Sequence, residues 1–155
     1  MGQYYFIVNL DKREFLHPHA FGDGLKLLEF GCSGGGVMSA LAVLLANSNN
    51  RGGGDLRSDN PIIGSWAGDR IIIAGDYAEP GDKAEAEGDR NRFQLCSDGE
   101  YRDISAEAMA ALMDDSYLRD DMAKMAQDNT WSTACATAYA KAIALRAGKV
   151  RHDES

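Results

Sequence analysis

The chain has 155 residues and a formal charge of −8, with 45% hydrophobic residues, 17 glycines and 3 prolines. That length suits one domain whose core needs no disulfide or metal staple. The acidic balance opposes direct binding to nucleic acid or anionic lipid, and three widely spaced cysteines without a CxxC pair oppose a disulfide framework or zinc knuckle.

Residues 4–10, YYFIVNL, are aromatic and β-branched and predict a strand buried on both faces. A turn at Asp11 and Lys12 returns the chain into a second strand through Phe15 and Leu16, which Pro18 ends. Gly22-Asp23-Gly24 is turn chemistry, and Leu25, Leu27, Leu28 and Phe30 lean towards a short helix. Val37, Leu41, Leu44 and Leu45 recur at helical spacing. Residues 48–60 lack periodicity and read as a long loop, and long loops in compact domains are often functional.

Residues 62–66 and 70–74 read as a hairpin around Ala67-Gly68-Asp69. The charged stretch 79–92 reads as an exposed or disordered loop. Residues 93–96 and 101–104 are short strand candidates around Ser97-Asp98-Gly99. Ser105 is a good N-cap, and from it the chain turns helical. Met109, Leu112 and Met113 form one apolar stripe, and Leu118, Met122, Met125 and Ala126 form another. At about 100° per residue the two lie half a turn out of phase, so the helix breaks near 114–117. A last helix starts near Thr130 and turns Trp131, Cys135, Ala138, Tyr139, Ala142 and Ile143 to the core.

Strands first and helices late define an α+β class. The expectation is an antiparallel sheet of four to six strands with helices on one face, concentrated in the C-terminal third. Residues 1–150 form one domain and 151–155 a frayed tail. The longest apolar run, 37–46, is half a membrane span, and no secretory h-region follows the start, so a cytoplasmic location is expected.

The words MGQYY and VNLDK, then FGDGLKLLEFG, RGGGDLRSDNPIIGSWAGDR and IIIAGDY, resemble a family of small uncharacterised proteins of bacteria, archaea and phages. The likeness covers roughly the first half and implies no established activity. It points to a phage or mobile-element origin, and small acidic phage proteins often block a host protein.

Candidate sites follow from residue type and spacing. Gly31 to Gly36 satisfies the GxxxxG half of a phosphate-binding loop, but Val37 and Met38 stand where Lys and Ser or Thr should follow. A structural hinge is the favoured reading, with anion binding at the helix N-terminus the alternative. Cys32 with His17 or His19 would make a nucleophile pair, though no signature supports it. His17-Pro18-His19, with Asp23, Glu29 or Asp55, offers only partial metal ligands, and no metal or cofactor is expected. Arg51, Asp55, Arg57 and Asp59 in the long loop, with Trp66, Asp69, Arg70 and Asp76 around the following hairpin, would line a small-molecule pocket if one exists. Asp114, Asp115, Asp120 and Asp121 make a diffuse acidic surface suited to a protein partner with a basic face.

The leading expectation is an acidic cytoplasmic protein-binding factor: an inhibitor of host machinery such as a nucleic-acid-guided defence complex. No contact with nucleic acid or membrane is expected, and enzymatic activity is disfavoured. The alternative is a small-ligand or hydrolytic domain built on the glycine-rich loops at 31–36 and 52–55.

Overall fold

Strand β1, Tyr5–Asn9, alternates its side chains between two cores. Ile7 enters one core, while Phe6 and Val8 enter the other, as the two-residue period of a strand demands. The structure is a computed structural model that describes residues 2–128 and 132–154, with side chains up to residue 148. β1 pairs antiparallel with β2, Glu14–Leu16, on one edge and with β3, Ile71–Gly75, on the other. The expected first hairpin is therefore present.

The sheet is mixed rather than antiparallel throughout. Its order is β3-β1-β2-β6, and the short β6, Arg102–Asp103, runs parallel to β2. The Arg102 N–H donates to the Arg13 carbonyl at 2.9 Å and the Ile104 N–H to the Phe15 carbonyl at 3.0 Å. Of the strand candidates at 93–96 and 101–104, the second forms β6 and the first does not form, because residues 93–96 belong to a helix, α3, Arg92–Ser97. Asn91 caps it by accepting from the Gln94 N–H at 2.8 Å, and Leu95 and Cys96 turn inward. β6, left without that partner, closes on β2.

Helices cover both faces of the sheet, not one. The larger core joins Ile7 and Leu16 to α1, Leu27–Gly31, α2, Val37–Leu45, α4, Ser105–Leu112, α5, Ser116–Gln127, and α6, Thr133–Glu154. The smaller core packs Phe6, Val8, Phe15 and Ala74 against Phe93, Leu95 and Cys96 of α3 and against Tyr101. Phe6 and Phe93 stack with ring centroids 4.0 Å apart. The last three helices do lie in the C-terminal third.

The strand expected at 62–66 is a series of turns. The reason lies at the end of α2, whose last carbonyls have no partner within the helix. The Gly64 and Trp66 N–H groups donate to the Val43 and Leu44 carbonyls, each at 2.9 Å, so the segment completes α2 instead of pairing with β3. Gly64 has φ +76°, and a Cβ there would stand 2.7 Å from the Asn47 Cα. Trp66 is fully buried, and its indole N–H donates to Glu14 Oε1 at 2.9 Å.

The charged stretch 79–92 is ordered, contrary to the loop expectation. It holds a 3₁₀ turn, Lys83–Glu85, and a two-stranded hairpin of β4, Ala86–Glu87, and β5, Arg90–Asn91. Its polar side chains satisfy backbone and ring partners: Arg92 reaches the Ala84 carbonyl and the Tyr101 hydroxyl, each at 2.6 Å.

Ser105 is not a cap but the first residue of α4, where its Oγ accepts from the His17 N–H at 2.9 Å. The break near 114–117 is present, with Asp115 capping α5 through the Leu118 N–H at 2.9 Å. Thr130 and Trp131 lie outside the described residues. Cys135, Ala138 and Ala142 are buried as expected, whereas Ile143 is 43% exposed. No described helix is long and apolar enough to cross a membrane.

The Trp66–Glu14 bond ties the turn segment to the sheet. Trp66→Phe keeps most of the buried area but leaves the Glu14 carboxylate without that donor. The expected loss is about 1–3 kcal/mol, read from urea unfolding monitored by far-UV circular dichroism, and an unchanged midpoint would contradict it.

Candidate functional site

The glycine-rich loop at 31–36 joins the end of α1 to the start of α2. A helix start carries amide hydrogens without intrahelical partners, and these make an anion site when left free. Here they are engaged. Asp23 Oδ2 accepts from the Val37 N–H at 2.8 Å and Ser33 Oγ from the Met38 N–H at 3.4 Å. The Ser39 and Ala40 N–H groups donate to the Gly36 carbonyl at 3.1 and 3.2 Å. The chain's own carboxylate thus stands where a phosphate would bind.

Gly36 is required by that carboxylate, since a Cβ on it would lie 2.3 Å from Asp23 Oδ2. Gly35 takes φ +77°, which favours glycine. Asp23 is half-buried. Burial pushes its carboxyl above the ordinary range, and the hydrogen bonds from Val37 and Ser33 oppose that rise. No sequence window could show this cap, because Asp23 lies fourteen residues before the amide it holds.

The eight residues expected around a small-molecule pocket do not converge. Asp55 closes its own loop, accepting from the Arg51 and Gly52 N–H groups at 2.9 and 3.1 Å, which lowers its pKa. Arg51, Arg57 and Asp59 are exposed in that same loop. Trp66 is in the core. Asp69 accepts from the Asn9 side-chain amide at 2.9 Å and pairs with Lys12. Arg70 pairs with Asp11 at 2.8 Å. These contacts lie at the Asn9 end of β1. Asp76 sits at the other end, accepting from the Tyr4 N–H at 2.9 Å. The 52–55 and 66–70 segments therefore perform turn and ion-pair work.

The four acidic residues divide into two pairs. Asp114 is half-buried, in an ion pair with Arg146, and accepts from the Ser58 hydroxyl, which ties the 48–60 loop to the α4–α5 turn. Asp115 is the α5 cap. Asp120 and Asp121 are exposed on α5, without an ion pair among the described residues. They share a face with Tyr117, which is 80% exposed, and with Lys124 and Asp128. The opposite side holds Leu118 and Met122, packed on the core. Tyr117 escaped the sequence reading, although its place outside the Leu118–Met122–Met125 stripe was a usable signal.

The three cysteines are free. Cys96 and Cys135 are buried, and burial pushes each thiol up to about 12. Cys32 is exposed at the end of α1. The candidate pairing of Cys32 with His17 gains no support, because the His17 ring packs on Phe6, across the sheet from Phe30. His17 Nδ1 accepts from the His19 N–H at 3.2 Å, and burial lowers the His17 pKa. Among the described residues no group of three or more His, Cys, Asp or Glu side chains is placed to hold a metal ion. Comparison with protein-family models, curated proteins and solved structures finds no match for this chain.

Gly36→Ala forces the added methyl against Asp23 and should destabilise the fold by about 1–3 kcal/mol in chemical unfolding. The parent should show no saturable ATP or phosphate binding by calorimetry. Nucleotide affinity that the substitution removes would restore the anion-loop reading.

Proposed function

We propose that this chain is an acidic, cytoplasmic protein-binding factor that docks on a basic partner through the exposed face of α5. The observation that carries this reading is Tyr117, 80% exposed, beside the exposed Asp120 and Asp121. Tyrosine is favoured at interface hot spots, because a rigid ring buries much area while its hydroxyl stays hydrogen-bonded. Carboxylates at its side speed encounter with a positive surface and reject negative ones. The overall charge of −8 adds to that steering.

Asp114 and Asp115 support the face instead of forming it. One anchors α6 and the 48–60 loop, and the other starts α5. A partner with a basic groove suits such a face, as in a nucleic-acid-guided defence complex of a host. The chain would then act as its inhibitor, of phage or mobile-element origin. The alternative, a small-ligand or hydrolytic domain built on the loops at 31–36 and 52–55, loses its anion anchor at 31–36 to Asp23 at the start of α2.

Reversing Asp120 and Asp121 to Lys tests the reading. The variant should fold as the parent does, since solvated carboxylates contribute little to stability. Immobilised parent protein should retain a basic protein from host lysate, more at low salt than at high salt. The variant should retain roughly tenfold less and show a flatter salt dependence. Equal retention and equal salt slopes would reject the α5 face.

A further inference from the structure

A groove of about 600 Å³ opens at the Tyr5 end of the sheet, between β3, α1 and the turn at 82–85. Its volume falls within the range of small-ligand sites. Tyr5, Leu27 and Tyr77 supply apolar and aromatic wall, and Gln3, Asp82 and Glu85 supply polar groups. Among the described residues two carboxylates line it and no Lys or Arg does.

Those polar groups are held in place. Glu85, half-buried, fixes one oxygen by accepting from the Gly75 N–H at 3.0 Å. Asp82 fixes one by accepting from the Glu79 N–H at 2.9 Å. The Gln3 side chain lies across Gly75, and its Oε1 accepts from the Tyr5 hydroxyl at 2.9 Å. Each carboxylate is oriented through one oxygen, and its second oxygen makes no hydrogen bond or ion pair among the described residues.

We propose that this groove binds an organic cation, an alkylguanidinium. A guanidinium offers N–H edges that match carboxylates and a flat face that packs on a tyrosine ring. Its short apolar stem matches Leu27 and the aromatic wall. The negative lining selects for the charge, and the apolar wall selects against a bare metal ion. The same chemistry arises from a free guanidino compound or from an arginine side chain of another protein. The site shares no residue with the α5 face and stands or falls apart from it.

The test is an NMR titration of the ¹⁵N-labelled protein with three probes: butylguanidinium, its neutral isostere butylurea, and the blocked tripeptide acetyl-Gly-Arg-Gly-amide. Butylguanidinium should shift the Tyr5, Ile73, Gly75 and Ala78 amides saturably, and butylurea should not. A tighter tripeptide assigns the site to a protein arginine, and a tighter butylguanidinium assigns it to a free cation. Asp82→Asn with Glu85→Gln keeps both backbone acceptors while removing the charge, and should weaken butylguanidinium by roughly tenfold or more. The proposal is overturned by the absence of saturable shifts up to about 10 mM. Equal responses to butylurea overturn it too, and that comparison needs only the parent protein. Unchanged affinity in a natively folded variant does the same.

Discussion

Everything in this fold follows from a five-residue strand that has no free edge and no exposed face. β1 is paired on both sides, and Ile7 and Val8, pointing in opposite directions, are both fully buried. A strand in that position needs cover above and below the sheet. The α-helical layer supplies one side. The other side has to come from the middle of the chain, and α3 with Tyr101 provides it. Phe93 stacks on Phe6 for this reason, and the 79–92 stretch is drawn into order beside it.

A second constraint operates at the start of α2. Asp23 places a carboxylate against the first amide of the helix, and Gly36 leaves room for it. The arrangement resembles a phosphate loop in sequence because both need glycine near a helix start. It differs in physics because the negative charge is built in. The loop is consequently a structural joint between α1 and α2.

The helices were legible where a single amphipathic stripe carries them. Residues 37–45 and the phase break before Ser116 are local facts of spacing, and the structure has both. The first hairpin was legible for the same reason. The failures trace to polar partners that the hydrophobic pattern does not carry, whether distant or near in sequence. Residues 62–66 look like a strand by composition, yet the open carbonyls at the end of α2 claim their amides. Residues 93–96 look like a strand too, but Asn91 caps them into a helix. Residues 79–92 lack large apolar side chains, so composition alone reads as disorder. Their order comes from Arg92 reaching Ala84 and Tyr101. Of the candidate sites, the acidic character of the 114–121 region was legible. The structural role of Asp114 was not, because it depends on Arg146 and Ser58.

The functional account rests on α5 facing a partner. Placing a photo-crosslinking phenylalanine derivative at position 117, in the cell that makes the protein, tests this directly. Position 57, exposed in the long loop, serves as the control site. Irradiation should join position 117 to one basic protein, with no such product from position 57, and reversing Asp120 and Asp121 to Lys in the same chain should reduce the product roughly tenfold. Adducts formed from position 57 and not from 117, or adducts at 117 whose yield the charge reversal leaves unchanged, would contradict the account.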